Sequence, residues 1–295
     1  MTKLTTWIER RAKRKFNQSG RQLIVYSAFP KSASMHLLNL IQSCSIPEIK
    51  VVVPKLQSGY GHNFFSEKKV HAQLSSKHLL MYGHIPFLKY NEELITDLSK
   101  TPDVIISIRS LPDIVVSYKE HADNNGFGPL DFFINNTTEC HPGWHQLSDK
   151  QKYDYIIHFI IPWYIRFVAG WFEASKKWNV NFFTFEEHTG HPAECMSCIA
   201  ELLNLDLDQK EIENLRIGSN VKKVNYNKGE SGRGKKLLME EQVDFLEKLV
   251  MMQGNNHLPL NLLKYLIHGY SQLDVDPIDM IDMKRKKGIK PPTFS

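Results

Sequence analysis

A turn near the amino end of the chain combines the residue types that bind anions. Lys31, Ser32 and Ser34 stand in this turn. An apolar, β-branched run at 23–26 precedes it and predicts a buried parallel strand, and the helical spacing of apolar residues at 35–41 predicts a helix after it. A tight turn from a strand into a helix directs unpaired backbone N–H groups and the helix dipole at whatever lies above. With a lysine and two hydroxyls there, the expected ligand is an anion, most naturally a phosphate.

A second segment brings an arginine and a serine to a similar position. Residues 104–108 predict another buried strand, Arg109 follows it directly, and Pro112 favours the start of a helix. Ser117 comes eight residues after Arg109, two turns into that helix, so both side chains can reach one anion above the strand. The alternative interpretation is that Arg109 pairs with a surface carboxylate and Ser117 packs within the helix.

A histidine stands where a catalytic base could act. The short run at 78–82 predicts a strand, and His84 lies at its exit. Because open α/β sheets bind ligands at the carboxyl ends of their strands, His84 is placed where chemistry is done. The alternative is an ordinary loop histidine before a turn that contains Pro86.

The elements that must position these residues fit one large α/β domain. The chain has 295 residues, with no Pro/Gly/Ser-rich linker and no repeat of fixed period in its middle. We therefore divide it into a basic N-terminal segment, 1–20, one domain, 21–270, and a C-terminal tail, 271–295. The predicted core is a mainly parallel sheet of about five strands flanked by helices, with the remaining strands at 49–53 and 179–185.

Three further helices are expected, at 148–177 with a kink at Pro162, at 192–204 and at 239–252. Residues 155–172 form the most apolar window, but charged and proline residues interrupt it. We expect a buried amphipathic helix there and no membrane span.

Composition limits the other classes of function. The net charge of +5 is too small to indicate nucleic acid as a partner. The first residues lack the apolar stretch of a secretory signal, and four cysteines do not make a disulfide framework at this length, so a cytoplasmic location is expected. Cys140, His141 and His145 lack a fourth ligand at recognisable spacing, so no metal site is predicted.

The turn around Lys31 differs from the GxxxxGK[ST] loop of nucleotide triphosphate-binding proteins, because no glycine lies between Gly20 and Gly59. It resembles instead the PKSGTTW loop of the cytosolic-type sulfotransferases. That loop holds the 5′-phosphosulfate of the donor 3′-phosphoadenosine 5′-phosphosulfate (PAPS). The chain keeps the first three letters of this motif. The departures are Ala33 for the glycine, Ser34 for the first threonine, Met35 for the second, and His36 for the tryptophan.

Two later segments resemble motifs of the same family. Residues 83–86 are similar to its HLP motif, whose histidine, here His84, is the catalytic base. The lysine that the family often carries two residues earlier is Tyr82 here. Arg109 and Ser117 match its 3′-phosphate site, and Asp113 between them matches as well.

The resemblance also suggests how the nucleotide would be enclosed. Phe185 stands for a tyrosine that packs on the adenine, and His36 would stack on the same base. The family's R-K-G-x-x-G segment, which closes over the 3′-phosphate, corresponds to Asn227, Lys228 and Gly229, with asparagine in place of its arginine.

A P-loop-NTPase-like sulfotransferase fold is therefore implied, with transfer of a sulfuryl group from PAPS to a hydroxyl or amine of a small-molecule acceptor. The product of the donor would be 3′-phosphoadenosine 5′-phosphate (PAP). The resemblance gives Lys31 the role of stabilising the leaving phosphate, so no metal is required. The residues of the turn expected to bind the donor nucleotide are Lys31, Ser32, Ala33, Ser34, Met35 and His36.

Two alternatives stay open. A P-loop kinase is disfavoured by the missing glycines. A non-catalytic protein that binds PAP or another polyanion is suggested by the replaced threonine, tryptophan and arginine. Neither the acceptor nor the oligomeric state is fixed by the sequence, and a homodimer is one option.

Overall fold

A five-stranded parallel sheet forms the centre of the protein. The computed structural model describes residues 16, 22–44, 49–52, 66–74, 78–125, 143–205, 207–216, 230–254, 257–273, 275–277 and 279. The strand order is β2-β3-β1-β4-β5, and every neighbouring pair is parallel. The strands are β1 (Leu23–Ala28), β2 (Ile49–Val52), β3 (His78–Gly83), β4 (Asp103–Ile108) and β5 (Asn179–Thr184). This confirms the predicted α/β fold with a central sheet of five strands.

Helices connect and cover these strands. They are α1 (Ser34–Ser43), α2 (Glu67–His71), α3 (Lys89–Leu98), α4 (Leu111–Asn125), α5 (Asp149–Phe159), α6 (Ile161–Ala174), α7 (Phe185–Gly190), α8 (Pro192–Leu202), α9 (Gln209–Arg216), α10 (Arg233–Leu237), α11 (Glu240–Gly254) and α12 (Leu260–His268). Two short 3₁₀ helices span Trp144–Gln146 and Gly269–Gln272.

The two faces of the sheet bury separate apolar clusters. Side chains alternate across a strand, so Val25 joins the larger cluster, which includes Trp171 of α6, and Ile24 joins the smaller one, which includes Leu37 of α1. Both strand residues are fully buried. This two-sided burial is typical of a parallel sheet and explains why the strands are almost continuously apolar in sequence.

The register of the central strands aligns their carboxyl ends. Ser27 of β1 pairs with Gly83 of β3, and Ala28 of β1 pairs with Ser107 of β4. The segments that leave β1, β3 and β4 therefore begin at one edge of the sheet.

The long helix predicted at 148–177 is two helices. Ser148 caps α5 through a reciprocal capping box with Gln151, as its residue type favours. The helical run breaks at Ile160, and α6 begins with Pro162 in its first turn. Since proline lacks an N–H and clashes with the preceding turn, the helix is interrupted at Ile160, close to the expected kink.

Several other boundaries differ from the sequence expectation. Strand β5 ends at Thr184, because Thr184 caps α7 and Phe185 begins that helix. Six helices were not anticipated from the sequence: α2, α3, α7, α9, α10 and α12. The sequence also predicts a loop at 124–149, and residues 126–142 of it lie outside the described residues. The boundaries proposed at residues 20 and 270 stay predictions.

One stretch, Asp149–Ala174, is long and apolar enough to cross a membrane by length and composition. Within the fold, 56% of its most apolar window is buried, which is the behaviour of core helices. Its division into α5 and α6 fits packing inside the protein.

Candidate active site

The anion loop, residues 29–34, joins the end of β1 to α1 in an unusual backbone conformation. Lys31 and Ala33 are both left-handed, with φ values of 69° and 56°. Ala33 is the N-cap of α1, and no side chain in the described part of the chain caps this helix end. The first N–H groups of a helix have no partner within it, so those of Ser34 and Met35 are directed out of the helix end. The loop therefore has the geometry of an anion-binding helix N-terminus.

Ser32 supports the loop from inside the protein. Its side chain is fully buried, and its Oγ donates to the carbonyl oxygen of Phe29 at 2.6 Å and lies 3.1 Å from Oγ of Ser107. The backbone N–H of Ser32 also donates to Phe29. In this conformation Ser32 attaches the loop to β4, and its predicted contact with a ligand stays a prediction.

Helix α6 holds the other end of the loop. The hydroxyl of Tyr164 donates to the carbonyl oxygen of Pro30 at 2.7 Å. The rings of Phe29 and Tyr164 are stacked with centroids 3.9 Å apart. Lys31 is therefore preceded by two residues that the core fixes in place.

Ser34 receives hydrogen bonds from two neighbouring strands. The hydroxyl of Tyr82 in β3 donates to Ser34 Oγ at 2.9 Å, and the hydroxyl of Tyr26 in β1 donates to the Ser34 carbonyl oxygen at 3.0 Å. Tyr82 therefore contacts the anion loop itself.

Met35 and His36 lie on the first turn of α1. Met35 is half-buried and packs against the smaller apolar cluster. Nε2 of His36 lies 2.9 Å from the carbonyl oxygen of His188 in α7, which fixes the plane of the ring. Burial lowers the pKa of His36, and the bond to His188 opposes that shift. Stacking of His36 on an adenine stays a prediction.

His84 lies at the exit of β3, next to the end of β1. Its Nδ1 is 2.9 Å from the carbonyl oxygen of Ala28, three residues before Lys31. A carbonyl oxygen accepts only, so Nδ1 carries a proton, and in the neutral ring the lone pair is on Nε2. This tautomer is the one that allows Nε2 to accept a proton.

The surroundings of Lys31 change the pKa of its ammonium group. Burial lowers the pKa of the Lys31 ammonium, the nearby charge of Arg109 lowers it further, and Glu120 of α4 opposes the shift. Lys31 and Arg109 follow adjacent strands, so the fold collects positive charge at this edge of the sheet.

Arg109 is buried and held between three groups. Its guanidinium lies 3.4 Å from the Asp113 carboxylate, donates to the carbonyl oxygen of Glu230 at 2.5 Å, and sits 3.9 Å above the ring of Phe185. Among the described residues its Nε has no hydrogen-bond partner. Because a buried unpaired donor is costly, Nε is a candidate contact for an anionic ligand.

Asp113 connects Arg109 to the glycine-rich segment that follows Gly229. Its carboxylate accepts hydrogen bonds from the backbone N–H of Gly232 at 2.8 Å and of Gly234 at 2.7 Å. The structure therefore brings the arginine segment and the end of the basic loop together, although they are far apart in sequence. Asn227, Lys228 and Gly229 themselves lie outside the described residues.

Ser117 is buried on α4, two turns after Arg109 and on the same helix as Asp113. This is the placement that its separation from Arg109 predicts. Phe185 begins α7 with its ring covered by the Arg109 guanidinium. Contact of the Phe185 ring with an adenine stays a prediction.

Sequence reasoning missed several residues that shape this site. Arg233 is buried and forms an ion pair with Glu120, which also acts on the charge of Lys31. The only sequence signal for Arg233 was its position in a basic, glycine-rich segment. Tyr26 and Tyr164 gave no signal, since their spacing fits ordinary core residues.

In the part of the chain that the structure describes, no group of three or more His, Cys, Asp or Glu side chains is placed to hold a metal ion. Cys44, Cys195 and Cys198 are buried thiols. Cys140 and His141 lie outside the described residues.

Comparison with known proteins agrees with the geometry. The family model described as "Sulfotransferase domain" matches residues 5–266. Among solved structures, mouse sulfotransferase SULT7A1 complexed with PAP is similar in fold, with a TM-score of 0.58 and 17% sequence identity over 83% of this chain and 88% of that one. No curated protein sequence matches the chain. Since the family model covers most of its length, this chain belongs to the sulfotransferase domain family.

Proposed function

We propose that this protein transfers a sulfuryl group from PAPS to a hydroxyl or amine of a small-molecule acceptor, releasing PAP. One observation carries the proposal. The anion loop, His84 and Arg109 leave three adjacent parallel strands at the same edge of the sheet. A donor that lies along this edge would meet a lysine, a histidine and an arginine in that neighbourhood. The structure of SULT7A1 is a complex with PAP, which supports the same choice of donor here.

The donor would be held at both phosphate positions. The N-terminus of α1, with Ser34 and Met35, would receive the 5′-phosphate. Arg109 and Ser117 would bind the 3′-phosphate, and the segment that Asp113 attaches to α4 would cover it. A nucleotide without a 3′-phosphate would leave Nε of Arg109 without an acceptor among the described residues, which favours a ligand with a phosphate at that position.

Chemistry would proceed by in-line displacement at sulfur. The acceptor oxygen or nitrogen forms a bond to sulfur while the bond from sulfur to the bridging phosphate oxygen breaks. Nε2 of His84 takes the acceptor's proton, and Nδ1 stays bound to Ala28. Lys31 stabilises the charge that grows on the leaving phosphate. The protein takes little part in the covalent chemistry, and most of the rate enhancement comes from positioning the donor and the acceptor.

A second candidate function is binding of PAP or another polyanion without turnover. The observation that favours it is Tyr82, which replaces a cation near the reacting group with a neutral hydroxyl directed at Ser34. Turnover of labelled PAPS against a panel of alcohols, phenols, sugars and amines separates the two. Labelled product from any acceptor supports the transferase, whereas PAP binding with no product across the panel favours the binding protein.

Binding itself is tested first. If PAP is a ligand, it should stabilise the fold by about 2.7 kcal/mol at a hundredfold excess over its dissociation constant. A thermal shift with ATP and none with PAP would overturn the donor assignment. The small-molecule nature of the acceptor, a cytoplasmic location and a homodimer all stay predictions.

A further inference from the structure

Tyr82 is attached to the anion loop by its hydroxyl. Its side chain is only 7% exposed, and its ring centroid lies 5.2 Å from that of Tyr26 in the neighbouring strand. Tyr82 donates to the side-chain oxygen of Ser34, and Tyr26 donates to the backbone oxygen of the same residue. Two tyrosines at the same register position of adjacent strands thus fix one serine by both its side chain and its backbone.

These hydrogen bonds determine whether the Ser34 hydroxyl can donate a hydrogen bond to a ligand. A hydroxyl has one proton and two lone pairs. Because the proton of Tyr82 occupies one lone pair of Ser34 Oγ, the proton of Ser34 is left to be donated elsewhere. Burial raises the pKa of Tyr82, so the phenol keeps its proton at neutral pH. Ser34 is the first residue of α1, beside the helix end that is directed at the anion.

We propose that Tyr82 is a positioning residue for the nucleotide: it orients Ser34 so that the serine hydroxyl donates to a 5′-phosphate oxygen. The inference rests on the proposed function, since it concerns the same donor site. Where the motif of the family often has a lysine, this chain has two hydroxyls in series. Tyr82 donates to Ser34, and Ser34 would donate to the phosphate. Hydrogen bonds in such a chain polarise and strengthen one another.

The test is a double-mutant cycle in PAP affinity, measured by calorimetry on the full chain. Tyr82→Phe should weaken PAP binding about three- to tenfold, the effect of one net hydrogen bond. In the Ser34→Ala background the same change should have no further effect, because the oriented proton is already absent. Tyr26→Phe is the matched control. It removes a neighbouring hydroxyl that binds the backbone, so any effect on PAP affinity should be the same with or without the Ser34→Ala substitution.

A second ligand separates orientation from general loosening of the fold. Adenosine 3′-monophosphate lacks the 5′-phosphate, so its affinity should be unchanged by Tyr82→Phe. Equal losses for PAP and adenosine 3′-monophosphate would overturn the positioning role, as would independent effects of Tyr82→Phe and Ser34→Ala. If Tyr82→Phe does not fold, Ser34→Ala alone must show the discrimination between the two ligands, or the inference fails.

PAP binding by the unmodified protein distinguishes a failure of the proposed function from a failure of the inference about Tyr82. No binding of PAP by the unmodified chain would overturn the proposed function and this inference together. Binding of PAP with an unaltered affinity in Tyr82→Phe would overturn the inference alone.

Discussion

Oδ1 of Asp113 accepts a hydrogen bond from the backbone N–H of Gly234 at 2.7 Å, across 121 residues of sequence. Its other oxygen accepts from Gly232 and lies near the Arg109 guanidinium. One buried carboxylate therefore sets the distance between the arginine and the segment proposed to cover the 3′-phosphate.

The close approach at Gly234 leaves no room for a side chain. A Cβ there would lie 2.3 Å from the backbone carbon of Pro112. Gly234→Ala should therefore destabilise the protein by about 1–3 kcal/mol, the usual cost of overpacking, in urea unfolding. Gly190→Ala is the control, because nothing lies within 4 Å of a Cβ at that position. Similar unfolding midpoints for the two variants would contradict the tight packing of this segment on α4.

Arg109 is expected to carry much of the nucleotide affinity. Arg109→Ala should cost on the order of 1.5–3 kcal/mol of PAP binding, since a charge-assisted hydrogen bond is lost. Arg166→Ala removes the same group from an exposed position of α6 and should leave the affinity unchanged. If Arg109→Ala bound PAP as tightly as the unmodified chain, Arg109 would not be part of the nucleotide site.

His84 is expected to act on the rate and not on donor binding. His84→Ala should lower turnover by roughly 10²–10⁴-fold while PAP affinity stays within a factor of about two, because a general base acts only when the acceptor reacts. His257→Ala changes an exposed histidine in a turn and serves as the control. Undiminished turnover in His84→Ala would make His84 an ordinary loop residue.

Lys31 predicts an alkaline limit to activity. Its pKa is lowered by burial and by Arg109, so in the free enzyme its charge is lost at a pH below the ordinary lysine value of 10.5. Since kcat/KM reports the ionisation of the free enzyme, kcat/KM should fall as pH rises through that lowered pKa. Lys31→Arg keeps its charge at high pH, so any activity it retains should lose this decline. If kcat/KM of Lys31→Arg fell over the same alkaline pH range, the decline would come from the ionisation of a group other than Lys31.

Ala33 occupies a conformation that glycine adopts more easily. With φ at 56°, alanine at this N-cap position has a steric cost that glycine avoids. Ala33→Gly should stabilise the protein by about 1 kcal/mol in denaturant unfolding, despite the greater flexibility of the unfolded chain. Destabilisation by the same substitution would show that the left-handed turn is not strained.

The local parts of this protein can be predicted from its sequence. Strand, turn and helix from residue 23 to residue 43 follow from the apolar pattern on either side of Lys31 and from the turn between them. The placement of Arg109 at a strand exit and of Ser117 two turns later follows from their spacing alone. Periodicity and residue spacing are local properties, and parallel strands that end together bring local sites to one edge.

The contacts between polar groups, in contrast, depend on how the whole chain packs. Nothing in the spacing shows that Ser32 is directed at β4 while Ser34 is held by Tyr26 and Tyr82. Asp113 reaches Gly232 and Gly234 because the chain returns across α4. Hydrogen bonds between residues over a hundred positions apart depend on how the layers pack, and no local pattern encodes that.

The interruption between α5 and α6 also depends on tertiary packing. Proline disfavours a continuous helix, but it permits either a kink or a complete interruption, and the apolar pattern runs through both helices. Which of the two occurs depends on how each half packs against the rest of the protein, because packing energy can offset or reinforce the loss of one backbone hydrogen bond.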